Sequence, residues 1–406
     1  MDSRKLLREY KSKEAFLQII DALSSDESDL RLYQRVLGIN WNLFKLLDFA
    51  DKMESGAEKG DPRLQYAWAR FNDAVRPSPD SVQLAIKYYR KAGEAGIADA
   101  TMCLAHLWNE GAFGLVDRDK YKDGMQKAME AGSEMAVLQN LRDRIWGNSG
   151  FPMEPRAVYE ETTGFIEKAE AAKEDISPQF YTIVGCACEE LGRSLEAYTW
   201  YKQAYAEGDP KACFKMAVLS GGLDDDGYVV RKEDFMKIID DGIGKGIPDC
   251  ELYPAFMISE EDRKWNEAES LRHLEKAFSM GESTGACFLG EYYHHGRFGF
   301  GKDLVQAWEW YRRGASLNNC YCYQAMANMI LEGEAPSGYD YDFMYDCELM
   351  ALRFGYDDTL VNVVRAYRQG HLTEFAEEIE KYYSPVFEEL YESDHFDDED
   401  FQQVCP

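Results

Sequence analysis

The sequence predicts an all-α solenoid of about nine helix-turn-helix repeats, and three observations carry that prediction. A helical stripe recurs with fixed internal spacing along most of the chain, a second helix bearing an aromatic pair follows it, and successive copies start 31 to 45 residues apart. A length of 406 residues suggests two or three ordinary domains only if each has its own core. Repetition removes that assumption.

The first element is clearest in Ala100, Leu104, Ala105, Leu107, Trp108 and Gly111, and again in Gly285, Leu289, Gly290, Tyr292, Tyr293 and Gly296. The same spacing returns in Cys322, Met326, Ala327, Met329, Ile330 and Gly333, and in Thr359, Val363, Val364, Ala366, Tyr367 and Gly370. A looser copy holds Ala212, Met216, Ala217, Leu219 and Gly221. Apolar residues four, seven and eight places after the anchor, with a small one at the fifth, make an apolar helix face with a notch. The closing glycine ends the helix. This is helix A.

Helix B follows in Ala85, Tyr88, Tyr89, Lys91, Ala92 and Gly96, in Ala197, Trp200, Tyr201, Gln203, Ala204 and Gly208, and in Asp303, Ala307, Trp310, Tyr311 and Asn318. The aromatic pair keeps its distance from the terminating Gly or Asn. Asp117, Asp303 and Asp340 stand where an N-cap carboxylate would accept the first free backbone N–H groups. The next helix A begins about four residues after the terminator, which leaves room only for a tight turn between antiparallel helices.

Anchored on the first residue of helix A, the series is Leu64, Ala100, Ala136, roughly Tyr181, Ala212, Cys250, Gly285, Cys322 and Thr359. Over about residues 41 to 383 this resembles the Sel-1-like repeat family, close kin of the tetratricopeptide repeat. That family's pattern is similar: Ala-x3-Leu-Gly-x-Leu-Tyr-x2-Gly, then an Asp-capped helix carrying Ala-x2-Trp-Tyr-x-Lys-Ala and ending in Gly. Departures are Asn140 and Pro254 at leucine positions, the long loop 147–155, and Ser194 to Ala197 following Gly192 as closely as in a tetratricopeptide turn. Irregular stacking is therefore expected between about 147 and 192.

The expected organisation is an N-terminal helical cap or degenerate repeat over 1–58, a repeat solenoid over 59–383 and an acidic, disordered tail over 384–406. Within the first segment, residues 40–53 read as a helix B. Residues 388–400 hold eight acidic residues and no Lys or Arg.

Composition narrows the function classes. With 45% hydrophobic and 14% aromatic residues the chain has material for a core. No apolar run reaches the 18 residues of a membrane span, and the first twenty residues are charged throughout, unlike a secretory signal. A cytoplasmic protein is expected. The formal charge of −29 repels phosphate backbones and anionic lipid, so nucleic acid and membrane are poor partners and a basic protein or peptide a good one. The ten cysteines show no C-x2-C spacing and read as reduced thiols filling small core positions.

What the resemblance implies is a right-handed superhelix whose A helices line an inner groove holding another protein, an adaptor role without catalysis. Packed as in tetratricopeptide relatives, A-helix positions one before the anchor and two, six, nine and ten after it face that groove. They are Tyr66, Arg70, Met102, His106, Asn109, Arg142, Phe214, Phe256, Glu291, His294, His295, Tyr321, Asn328 and Arg365. Aromatics, Arg and Asn are the types enriched where partners dock, although few members of such a set carry much energy. Within this reading the acidity marks an inhibitor or immunity-type protein that captures a basic toxin or effector, against the plainer reading that acidity serves solubility.

The other readings have thinner support. An enzyme or small-ligand receptor would use a superhelical pocket near His294, His295 and Asn328. No phosphate loop, nucleophile elbow or kinase-like set occurs, and paired carboxylates are uninformative in so acidic a chain. Adjacent His294 and His295 diverge on a helix, so only one could face an ion without help from other repeats. No metal or cofactor is expected. The stretch Gly222 to Val229 with Glu233 imitates a calcium loop, but Gly222 stands where its first ligand is required. The Trp-Tyr pairs at 200/201 and 310/311 read as inter-repeat packing.

Overall fold

The computed structural model describes residues 18, 50–75, 78–109, 117–223, 229–256 and 267–391. Among them the elements are helical, with one isolated antiparallel bridge between Leu223 and Val229. In chain order the helices are α1 (Ala50–Glu58), α2 (Pro62–Val75), α3 (Pro79–Glu94), α4 (Ala98–Asn109), α5 (Arg118–Glu130), α6 (Glu134–Trp146), α7 (Pro155–Ala172), α8 (Gln179–Glu190) and α9 (Ser194–Ala206). They continue with α10 (Lys211–Gly221), α11 (Lys232–Gly244), α12 (Tyr253–Phe256), α13 (Glu267–Ser279), α14 (Thr284–His295), α15 (Leu304–Ser316), α16 (Cys320–Leu331), α17 (Tyr341–Arg353), α18 (Leu360–Arg368), α19 (Ala376–Glu378) and α20 (Ser384–Tyr391). A π-helical turn (Ile379–Tyr383) joins the last two.

Each A helix packs on the B helix that follows it: α2 on α3, α4 on α5, α8 on α9, α10 on α11, α14 on α15 and α16 on α17. Each B helix then packs on the next A helix. There is accordingly no single central core. One buried cluster runs from Met53 through Trp68, Tyr89 and Met125 to Ala136, and another takes over from Leu138 through Tyr201 to Cys250. No hairpin buries its own face, so stability is shared between neighbours.

The local signals act as the sequence predicts. Asp117 Oδ1 accepts the Lys120 N–H at 2.9 Å, Asp303 Oδ1 those of Val305 and Gln306 at 3.0 Å, and Asp340 Oδ1 that of Phe343 at 3.1 Å. The B-helix terminators Gly96, Gly208 and Asn318 are left-handed, with φ of 96°, 103° and 61°, which turns the chain sharply into the next A helix. Gly296, at φ 65°, caps α14. Gly111 lies outside the described residues. The tyrosines of helix B bury their rings and tether their hydroxyls to A-helix carboxylates. Tyr89 donates to Asp73 Oδ2 at 2.7 Å and Tyr121 to Asp143 Oδ2 at 2.6 Å.

Several expectations shift. In the fourth repeat the anchor is Phe180 rather than Tyr181, because Gly185 there meets the Tyr201 ring as Gly290 meets Tyr311. In the looser copy Gly221 stays helical and its neighbour Gly222 takes the positive φ of 66°. Between 147 and 192, a short 3₁₀ turn over Asn148–Gly150 leads into the 18-residue α7, longer than the helix B of other repeats, and α8 and α9 are joined by three residues. At Cys250 the described residues form a 3₁₀ turn (Pro248–Glu251) followed by α12, in whose first turn Pro254 stands.

At the N-terminal end α1 packs on α2 through Met53 and Ala57, while residues 40–49 lie outside the described residues. At the other end, residues 384–391 form a helix rather than the start of a disordered tail. Phe387 is buried there beneath the Arg368 guanidinium, 4.9 Å from its ring centre. Residues 392–406 lie outside the described residues.

Candidate functional site

The groove register places side chains in two environments. Tyr66 and Met102 are buried, Tyr66 against the Tyr89 ring with centroids 6.2 Å apart, so both serve packing and offer no surface in this structure. Phe256 ends α12, and its side chain lies outside the described ones. The remaining A-helix residues of the set are half-buried or exposed, apart from His294.

Arg70 reaches from α2 to α4, where its Nη1 donates to Cys103 Sγ at 3.3 Å. His106, edge-on to Tyr121 with centroids 5.3 Å apart, is held below the usual imidazole range by burial and then by the Arg70 charge. Asn109 donates to Ser149 Oγ at 3.2 Å. Arg142 of α6 donates to Gln179 Oε1 of α8 at 2.5 Å. Burial lowers its pKa, and the Asp209 charge opposes that. Phe214 stacks on Tyr253 with centroids 4.3 Å apart, and Glu291 pairs with Arg297 at 2.6 Å.

The C-terminal repeats are more open. Tyr321 is 61% exposed and meets Tyr356 edge-on, and exposed Asn328 accepts from Gln324 Nε2 at 3.1 Å. Arg365 of α18 is half-buried. His295 is exposed and stacked on buried His294, with centroids 4.4 Å apart. The Nε2 of His294 lies 2.6 Å from Glu334 Oε2.

Beside this register, the starts of consecutive A helices are tied by polar contacts. Ser133 Oγ donates to Asp99 Oδ1 at 2.5 Å, Thr182 Oγ1 to Asp209 Oδ2 at 2.5 Å, and Asn319 Nδ2 to Ser283 Oγ at 3.1 Å. Burial raises the Asp209 carboxyl above its ordinary range, against the Thr182 hydroxyl and the Lys211 N–H that favour its charge. Asp249 is pushed up to about 6, by burial first and then by the Glu282 charge. Asp249 stands one place before its anchor Cys250, a register position that the profusion of acids conceals. Glu332 and Glu334, which flank Gly333, are further residues that sequence spacing does not single out.

Among the described residues no helix is long and apolar enough to cross a membrane. The nine described cysteines are free thiols.

Antiparallel helix pairs that stack in sequence and share cores with their neighbours define an α/α-repeat solenoid. The Sel1 repeat family model matches residues 64–97, 194–209 and 283–319, which span most of α2 with α3, all of α9, and the pair α14/α15. The chain carries Sel1 repeats over those residues. Such repeats generally mediate protein interactions and are typically non-catalytic scaffolds. Two solved structures are similar to it: a Sel1 repeat protein from Oxalobacter formigenes, 17% identical with a TM-score of 0.37, covering 76% of this chain and 87% of that one; and a protective antigen of uropathogenic Escherichia coli displaying an SLR fold, 16% identical with a TM-score of 0.37, covering 91% and 75%. No curated protein sequence matches significantly.

Proposed function

We propose that this chain is a non-enzymatic scaffold that holds a basic protein or peptide along the register of its A helices, as an inhibitor or immunity-type protein holds a toxin or effector. The observation that carries the reading is the chemistry of the accessible register. Arg142, Phe214, Tyr321, Asn328 and Arg365 supply forked donors, aromatic area and amide groups on α6, α10, α16 and α18. These are the types on which binding energy concentrates. The cationic character of the partner rests on the formal charge of −29 and on Asp249 beside Glu282, a pair of acids that a partner's Lys or Arg would relieve.

The test is capture from native lysate by the wild-type chain beside a Tyr321→Ala, Asn328→Ala, Arg365→Ala variant of equal melting temperature. One basic protein retained by the first and lost by the second is expected. Its association rate should fall steeply with salt, because exposed charges are screened beyond about 8 Å at physiological ionic strength. A rate flat across that range would leave the acidity a matter of solubility, and identical captures would remove the register from the binding surface.

A further inference from the structure

We propose that His294, Glu332 and Glu334 form a site for one divalent transition-metal ion, with a zinc-like preference for nitrogen and oxygen ligands, that clips two consecutive repeats together. One ligand atom from each lies within 4.8 Å of the other two. The histidine comes from the last turn of α14 and the two glutamates from the end of α16, about one repeat later. The help that a lone histidine lacks within its own helix is thus provided by the neighbouring repeat.

Local structure explains the convergence. Glu332 caps α16 and Gly333 follows at φ 71°, so the chain reverses between the two glutamates and brings both to one side. Both contributing segments are helix C-termini, whose partial negative charge favours a cation. Two carboxylates and a neutral imidazole match a dication in charge. Carboxylate and imidazole suit zinc and its neighbours better than calcium, which takes six to eight oxygens. Lys302 Nζ holds Glu334 Oε1 at 2.7 Å and leaves Oε2 for the ion, the outer contact that fixes a ligating carboxylate.

Bond lengths of about 2.0 to 2.2 Å put tetrahedral ligand atoms about 3.3 Å apart. His294 Nε2 and Glu334 Oε2, now 2.6 Å apart, need to separate only slightly, while the exposed Glu332 swings in. Three protein ligands leave a fourth position for water.

The experiment uses tag-free full-length protein stripped with a chelator and titrated with Zn²⁺ by calorimetry and with Co²⁺ by visible absorption. One equivalent is expected to bind, with affinity reduced at least about tenfold in Glu332→Gln and in Glu334→Gln. The cobalt spectrum should lack a thiolate charge-transfer band, which separates this site from the cysteines. Glu332 is exposed, so Glu332→Gln should melt like wild type and carries the decision. Unchanged affinity in that variant, no saturable binding to the wild type, or a thiolate band would overturn the proposal.

Discussion

Gly290 of α14 lies directly against the Tyr311 ring of α15: a Cβ built on Gly290 would stand 2.4 Å from both Cδ1 and Cε1. Gly185 of α8 meets Tyr201 of α9 in the same way, with a Cβ 2.4 Å from Cε1. The small residue five places after the anchor is thus the socket of the helix-B tyrosine, and it fixes how closely the two helices approach. Gly290→Ala should cost about 1 to 3 kcal/mol through overpacking, read as a lowered urea midpoint. An unchanged midpoint would place the ring elsewhere.

Trp310 tests the packing reading of the aromatic pair. Its indole is buried, edge-on to Phe278 of the preceding repeat at 6.1 Å, with the Arg313 guanidinium 4.5 Å from its centre. Trp310→Ala should cost about 3 to 5 kcal/mol, as for other buried aromatics. A loss below about 1 kcal/mol would contradict that burial.

These two contacts show what is legible in the sequence. Gly290 with Tyr311 and Gly185 with Tyr201 hold the same places within their own helices because these repeats pack in the same way, so the pattern encodes the packing. Contacts made by one repeat alone leave no such signature. Glu251 is fully buried at the end of the 3₁₀ turn Pro248–Glu251, with His273 Nδ1 at 2.5 Å from Oε2 and Lys276 beside it, and no periodicity marks any of the three. The candidate groove shows the same limit. Register picks out recurring positions along each A helix, but whether Tyr66 is buried or Tyr321 exposed depends on how neighbouring helices close over each.

Glu348 of α17 should make stability depend on pH. Its carboxyl is buried, Oε1 accepts from Asn362 Nδ2 at 2.8 Å, and Oε2 has no partner among the described residues. Burial pushes its pKa up to about 7, against the Asn362 contact that favours the charge. The folded state therefore prefers the protonated form. The group's contribution is fully present below the unfolded pKa of about 4.3 and is lost as pH rises through about 7. Glu348→Gln should melt progressively higher than wild type on going from pH 5 to pH 8. A gap between the two proteins that stays constant with pH would mean that Glu348 is ionised throughout.

The sulfurs of Cys213 and Cys250 lie 3.5 Å apart across consecutive repeats, and Gly242 of α11 makes the approach possible. A Cβ there would stand 2.4 Å from Cys250 Sγ and 2.9 Å from Cys213 Sγ. Gly314 repeats the arrangement, with a Cβ 2.3 Å from Cys322 Sγ. The cysteines thus fill space that a helix-B glycine leaves open, which accounts for small thiols at these positions without any redox role. Gly242→Ala should destabilise by about 1 to 3 kcal/mol. Because the nearest clash is with one sulfur, Cys250→Ala in the same chain should recover part of the loss, giving a coupling of about 0.5 kcal/mol or more in a double-mutant cycle. Strict additivity would mean that the helix moves aside instead, and that Gly242 does not set the spacing between these repeats.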